Sequence, residues 1–177
     1  MLRTIECEAA VFGCATVAPQ PTEKGGPPDP SCLLAVPGAA HLLSRLPPER
    51  WGALALDSVD ATLAHLEAAE LPRPGIIVGP SGTRGEDYAA AAAGLGADPS
   101  FCLAIEETPE GIAAALGIDM KVIALTTQHT PHELAGADMV IPSLLSLNVV
   151  GLHPVLILEV DALPEFGTFI PGQYKRR

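Results

Sequence analysis

Aromatic and basic side chains are scarce in this sequence. The first shortage restricts the composition of the hydrophobic core, and the second argues against partners that carry negative charge. Phe, Trp and Tyr make up 4% of the 177 residues, although 48% are hydrophobic. The core must therefore consist mainly of Ala, Leu, Val and Ile, a composition that suits helices packed on a parallel sheet. Ten Lys and Arg oppose 21 Asp and Glu, which gives a net charge of −11. Such an acidic surface repels phosphate backbones and anionic lipids, so no nucleic acid or membrane partner is expected.

Long apolar runs and paired cysteines are missing as well. No apolar stretch approaches the ~20 residues that cross a bilayer. The first residues do not resemble a secretory signal, so we expect a cytoplasmic protein. The four cysteines, Cys7, Cys14, Cys32 and Cys102, form no CxxC pair and no zinc-ligand spacing with histidine, which argues against a zinc site.

Short apolar runs alternate with helical patterns along the chain. This alternation predicts an α/β fold in three layers, with a doubly wound parallel sheet covered by helices on both faces. The predicted strands cover residues 5–12, 51–56, 76–78, 101–105, 121–125 and 139–141, with an added edge strand at 155–160. The predicted helices begin after Pro37, after Asp57 or Ser58, near 86, after Thr108 and near 131.

The length suits one domain with a full hydrophobic core. We expect that domain to cover residues 1–160, with a Pro- and Gly-rich loop at 14–36 and an irregular tail at 161–177. In an open parallel sheet, ligands bind beyond the carboxyl ends of the strands. The candidate site residues therefore follow the predicted strands, at 13–16, 57–58, 79–85, 106–108 and 126–129.

Several of these segments resemble one known family. Residues 98–112 read DPSFCLAIEETPEGI, which is similar to the DPxxCLvfEDSpaGI segment of haloacid dehalogenase (HAD) phosphatases of the phosphoglucomutase and sugar-phosphatase branch. Residues 120–127 and 133–141 also fit that family in order and spacing. Residues 10–12, followed by 37–43, resemble its FDxDGT…PGvaelL opening. The resemblance covers residues 5 to about 147 and implies a HAD-like Rossmannoid fold.

The resemblance also implies a chemistry that this sequence matches only in part. HAD phosphatases use an Asp nucleophile, an acid/base Asp two residues later, a phosphate-binding Ser/Thr and Lys, and acidic residues that hold Mg²⁺. Here the nucleophile position is Gly13 and the acid/base position is Ala15, and no Lys occurs between Lys24 and Lys121. The metal-binding segment is matched by residues 106–108, so Glu106 and Glu107 are the candidate Mg²⁺ ligands.

These departures predict a phosphatase-like protein that lacks ordinary phosphoryl-transfer activity and acts by binding a partner or ligand. One alternative is an active hydrolase with non-standard catalytic groups. Its candidates in the cleft are Cys14, Thr16, Asp57 and Ser58. A second alternative is a phosphate- or nucleotide-binding module that uses loop 79–85. Its candidate ligand-binding residues are Gly82, Thr83 and Arg84.

The resemblance also raises the question of what covers the site. HAD phosphatases of this branch usually insert a helical cap after the first motif, whereas only residues 14–36 are available here, so no cap is expected. An uncapped edge, with Val11, Phe12 and Ile105 beneath it, would expose apolar surface. We therefore expect a homodimer or another protein partner, with the loop at 18–31 and the predicted edge strand at 155–160 as candidate surfaces. The alternative is a monomer in which that loop folds down and seals the cleft. A small phosphorylated ligand is the remaining candidate.

Overall fold

The computed structural model describes residues 2–13, 16–17 and 35–161. The strands in this part of the chain are β1 (Leu2–Cys7), β2 (Ala9–Gly13), β3 (Trp51–Leu54), β4 (Ile76–Val78), β5 (Cys102–Glu106), β6 (Lys121–Leu125), β7 (Met139–Ile141), β8 (Leu147–Gly151) and β9 (Leu156–Asp161). The helices are α1 (Ala39–Leu43), α2 (Val59–Ala68), α3 (Arg84–Gly94) and α4 (Pro109–Leu116).

Six strands form one parallel sheet in the order β4-β3-β2-β5-β6-β7. The chain winds outward from β2 on one side and from β5 on the other, so the winding direction reverses between these two strands. Every residue of β2 and β5 is buried, as expected for the centre of a sheet covered on both faces. The predicted doubly wound parallel sheet is confirmed.

Two hydrophobic clusters cover the two faces of this sheet. Phe12 and Trp51 lie in the first cluster, where their rings meet edge to face with centroids 5.8 Å apart. Side chains of α1 and α2, including Leu42 and Leu66, pack in the same cluster. The second cluster joins the opposite sheet face to α3 and α4. Three layers result, as predicted.

A second, smaller sheet was not anticipated. β1, β9 and β8 pair antiparallel in that order. The prediction of one strand over 5–12 is therefore wrong, because the chain changes sheet at Glu8, whose N–H donates to the Phe101 carbonyl at 2.7 Å. The strand predicted at 155–160 exists as β9, but it is the middle strand of this sheet and not an edge of the main one. β8 was missed.

The helix predicted near 131–136 is also wrong. These residues form a succession of turns. The N–H groups of Leu134 and Ala135 donate to carbonyls four and three residues earlier, at Thr130 and His132, so no regular helical ladder develops. Thr130 and Glu133 close the first turn through hydrogen bonds between side chain and backbone in both directions.

Two described residues of the predicted loop at 14–36 are hydrogen-bonded to each other. The Val36 N–H donates to the Val17 carbonyl at 2.9 Å. Residues 14–15 and 18–34, and the predicted tail beyond Asp161, lie outside the described residues. In the part of the chain that is described, every helix is too short or too polar to cross a membrane.

Candidate functional site

The carboxyl ends of the two central strands bring Gly13 and Glu106 together. Phe12 pairs with Ile105 in the parallel register of β2 and β5, so the residues that follow are neighbours. A Cβ atom on Gly13 would lie 3.0 Å from Glu106 Oε1 and 3.3 Å from Arg84 Nη2. The prediction that Gly13 and Glu106 open on one edge of the sheet is confirmed, and Arg84, from the predicted 79–85 loop, joins them there.

Glu106 is the centre of the site. It is 1% exposed, and its two carboxylate oxygens accept four hydrogen bonds. Oε1 accepts from Arg84 Nη2 at 3.1 Å and from the Tyr88 hydroxyl at 2.5 Å. Oε2 accepts from the Glu107 N–H at 3.1 Å and from Thr108 Oγ1 at 3.4 Å. A buried carboxylate needs such compensation, because an unpaired one loses its hydration without replacement.

The first turn of α4 provides the space for that carboxylate. Thr108 caps the helix by accepting from the Gly111 N–H, and Pro109 occupies the first helical position. A Cβ on Gly111 would overlap the Glu106 carboxylate, so glycine is required there by close approach. The positive end of the α4 dipole also favours a negative group at this point.

Tyr88 is a member of the site that the sequence did not reveal. It is fully buried on α3. Burial, followed by the charge of Glu106 and the hydrogen bond to it, holds the pKa of the Tyr88 phenol well above its usual value. Tyr88 therefore remains a proton donor to Glu106. The only available signal was its spacing of four residues from Arg84, which places both on one helix face.

Glu107 points toward a different neighbour. Its side chain is buried and accepts a short hydrogen bond from the hydroxyl of Thr127, just beyond β6. Among the described residues, no group of three or more His, Cys, Asp or Glu side chains could hold a metal ion. Mg²⁺ requires near-octahedral oxygen ligands, whereas Gly13 offers no side-chain oxygen and both oxygens of Glu106 are engaged. The residues present do not fit the Mg²⁺ that the resemblance implies.

Two residues of loop 79–85 donate hydrogen bonds to acidic side chains of α3. The N–H and hydroxyl of Ser81 donate to Asp87 Oδ1 at 3.1 and 2.8 Å. The Thr83 N–H donates to Glu86 Oε2 at 2.7 Å, and Thr83 Oγ1 accepts from the Glu86 N–H, which forms a capping box on α3. Carboxylates thus occupy the amides of Ser81 and Thr83, which an anion would otherwise be able to use. Of Gly82, Thr83 and Arg84, only Arg84 contacts the Glu106 cluster.

The remaining predicted residues have structural partners or lie outside the described chain. Thr16 is buried and donates to the Gly13 carbonyl at 2.6 Å. Ser58 is exposed and caps α2 by accepting from the Ala61 N–H at 3.1 Å, and Asp57 is exposed beside it. Cys14 lies outside the described residues.

Comparison with known proteins shows which of them are similar to this chain in sequence and in fold. No family model matches the sequence. The chain is 30% identical over 124 residues to hexitol phosphatase A of Escherichia coli (strain K12), covering 66% of this chain and 57% of that protein. The chain therefore spans little more than half of that relative's length.

Solved structures share the fold at low identity. CbbY from Rhodobacter sphaeroides, in complex with phosphate, superposes with a TM-score of 0.60 at 17% identity, over 78% of this chain and 95% of that one. A β-phosphoglucomutase from Clostridium difficile gives 0.52 at 19%, over 62% and 51%. The chain is similar to proteins of the HAD superfamily, as the sequence predicted. Its similarities lie in the phosphoglucomutase and sugar-phosphatase-like branch.

The similarity to HAD phosphatases indicates which positions of this chain correspond to their catalytic residues. The nucleophile of a HAD phosphatase would stand at Gly13, and the metal-binding acids at Glu106 and Glu107. In this HAD-like chain the first position has no side chain and the second is enclosed by Arg84 and Tyr88.

Proposed function

We propose that this HAD-like protein does not transfer phosphoryl groups and acts instead by binding. The supporting observation is the contact between Gly13 and the Arg84–Glu106 pair. Covalent phosphoryl transfer needs an oxygen nucleophile beside a cation that offsets the charge of the transferring group. Gly13 supplies no nucleophile, and the nearest cation is already neutralised by Glu106 at 3.1 Å.

The other carboxylates are poor substitutes for the missing nucleophile. The lone pairs of Glu106 are directed at four donors, so an attack through either oxygen would first have to break those hydrogen bonds. Glu107 accepts from Thr127. An unorthodox hydrolase built on either residue is therefore disfavoured, although the family resemblance alone does not exclude activity.

Binding to a protein is favoured over binding to a small phosphorylated ligand. A phosphate group needs free donors or positive charge. At this edge of the sheet, the guanidinium of Arg84 is paired, and the amides of Ser81 and Thr83 already donate to carboxylates. We propose a second copy of the chain, or another protein, as the partner.

Turnover of phosphate esters tests the proposal. We expect p-nitrophenyl phosphate to be hydrolysed with Mg²⁺ only at the background rate. The same result is expected for a hexitol phosphate, the type of compound after which the Escherichia coli relative is named. Losing a covalent nucleophile costs at least about 10⁴-fold in rate in enzymes where it has been removed. Glu107→Gln should leave that background unchanged.

A matched control identifies genuine activity. Glu110→Gln removes an exposed carboxylate on α4, three residues from Glu107. Mg²⁺-dependent turnover that disappears in Glu107→Gln and persists in Glu110→Gln would overturn the proposal. Metal-independent turnover that disappears in Cys14→Ser would overturn it as well, because a thiolate would then be the nucleophile.

A further inference from the structure

The negative charge of Glu106 is balanced by the guanidinium of Arg84. The Glu106 side chain is 2% exposed and the Arg84 side chain 28% exposed, with Nη2 and Oε1 3.1 Å apart. Withdrawing a carboxylate from water this far requires an opposite charge in contact with it. Arg84 meets that requirement within the chain itself.

The guanidinium is close to both residues that would flank a metal. The resemblance would place a divalent cation near position 13 and Glu106. Arg84 Nη2 is 3.3 Å from the position of a Gly13 Cβ, and Glu106 Oε1 is 3.0 Å from it. The absence of a Cβ at Gly13 leaves room for the guanidinium at this point.

α3 holds Arg84 in this place. The Thr83–Glu86 capping box fixes the start of the helix, and Asp87 fixes the preceding loop through Ser81. Arg84 also lies 6.0 Å from the centre of the Tyr88 ring, within the range of a cation–π contact. Arg84 and Tyr88, one helical turn apart, both donate to Glu106 Oε1. The cation is therefore preorganised.

We infer that the guanidinium of Arg84 replaces the divalent cation of the superfamily as the counter-charge of Glu106 and closes this site to Mg²⁺. Glu106 then serves a structural role, because its hydrogen bonds with Arg84 and Tyr88 hold α3 against the end of β5. The inference does not depend on whether the protein hydrolyses phosphate esters.

Metal-dependent thermal unfolding of the full chain tests the inference. We expect Mg²⁺ up to 20 mM (roughly ten times a weak Kd of about 2 mM) to leave the Tm of the wild type unchanged. Arg84→Gln should lower the Tm by about 10 °C, because Glu106 becomes a buried charge without a partner. In that variant Mg²⁺ should restore about 3–5 °C, since the carboxylate can then bind a cation.

Three controls isolate the charge of Arg84. Arg84→Lys should remain insensitive to Mg²⁺, because it keeps a cation near Glu106. The double variant Arg84→Gln/Glu106→Gln should lose the Mg²⁺ response, because the carboxylate is gone. Arg73→Gln, which changes an exposed arginine, should behave as the wild type.

Each outcome decides the inference. A Mg²⁺-dependent rise in the Tm of the wild type that disappears in Glu106→Gln would overturn it. An Arg84→Gln variant that folds and whose Tm does not change with Mg²⁺ would overturn it as well.

If Arg84→Gln does not fold, binding of Mn²⁺ to the wild type, measured by electron paramagnetic resonance, decides the question. Free Mn²⁺ undiminished by the protein supports the inference, and binding lost in Glu106→Gln contradicts it. Turnover without metal binding would refute only the proposed function.

Discussion

Single residues with little or no side chain shape the site as strongly as the charged ones. Gly13 and Gly111 approach the Glu106 carboxylate from β2 and α4, and a Cβ on either would contact or overlap it. Arg84 and Tyr88 donate to the same carboxylate from α3. Breaking a buried ion pair by removing one partner costs about 3–5 kcal/mol. Steric space and charge are therefore coupled at this point.

Substituting Gly111 tests that coupling. Gly111→Ala should lower the free energy of unfolding by about 3 kcal/mol, because the new methyl group must displace the Glu106 carboxylate from its donors. Gly85→Ala is the matched control, since it also adds a methyl group to a helical glycine but meets no atom closer than 3.6 Å. It should be neutral or stabilise by up to about 0.5 kcal/mol. Urea unfolding measures both, and equal losses would show that the Glu106 packing is not responsible.

At the scale of elements, the strands of the main sheet could be predicted and the second sheet could not. The buried strands β2, β5 and β6 are short apolar runs bounded by polar or glycine residues, a pattern typical of parallel sheets. β1 shows alternating exposure and runs into the buried β2 with only Glu8 between them. No turn residue marks the change of sheet, so sequence periodicity merged the two strands.

The candidate site was predictable in location more than in composition. The carboxyl ends of β2 and β5 follow from the parallel topology, and with them the proximity of Gly13 and Glu106. The contribution of Tyr88 could not be inferred, because a buried tyrosine on an alanine-rich helix is typical of a core. Gly82 and Thr83 were assigned to ligand binding, but Thr83 caps α3. Local capping and ligand binding use the same residue types.

One arginine connects the two sheets. Arg50 precedes β3 and donates to the Glu8 carbonyl at 2.9 Å, where the chain changes sheet, and to the Pro154 carbonyl at 3.1 Å, between β8 and β9. These carbonyls lie outside both strand ladders. A charged donor to a backbone carbonyl typically contributes more than a neutral one, so Arg50 fixes the smaller sheet against the larger.

Arg50→Ala should therefore lower the free energy of unfolding by about 1–2 kcal/mol and accelerate amide hydrogen exchange in β1 and β9. Arg73→Ala provides the comparison, because its ion pair with Glu67 spans 3.6 Å between side chains that are 67% and 65% exposed. Such surface pairs contribute about 0.5 kcal/mol or less. Equal effects of the two substitutions, or exchange in β1 that stays unchanged in Arg50→Ala, would contradict this role for Arg50.

At the scale of the whole molecule, the surface differs from the one expected for an uncapped site. Val11, Phe12 and Ile105 are at most 1% exposed within the single chain, so these three side chains themselves offer no apolar surface at the carboxyl edge. β9 offers no free edge either, since it pairs with β1 and β8. Two exposed apolar side chains, Leu2 at 62% and Val150 at 52%, lie on the outer strands of the small sheet. The other large ones among the described residues are scattered along the chain, at Leu56, Val59, Phe101 and Leu145.

We propose the outer face of the small sheet as the surface for a partner, because it carries two exposed apolar side chains on the outer strands of one sheet. Ile5, Val149 and Leu158 point inward and belong to the core cluster. The alternate residues point outward. They include the apolar Leu2, Val150 and half-buried Ile157, together with the acidic Glu6, Glu159 and Asp161. The edges of the small sheet are partly blocked, because Lys121 donates to the Glu6 carbonyl on β1 and Arg45 donates to the Val149 carbonyl on β8. Pairing through the face is therefore favoured over pairing through the edges.

We predict a homodimer that strengthens with salt. Two copies with a net charge of −11 each repel one another at long range, and about 0.5 M salt screens that repulsion while leaving apolar contacts intact. Light scattering at micromolar concentration should therefore give a mass nearer two chains in high salt than in low salt. A basic protein partner would show the opposite dependence on salt.

Val150→Asp should weaken the dimer at least about tenfold, because it places a charge at an apolar position of the contact. Asn148→Asp adds the same charge at an exposed position of the same strand and should have a smaller effect. A mass of one chain in both salts would refute the homodimer, and a dimer that Val150→Asp does not weaken would refute this face as its interface.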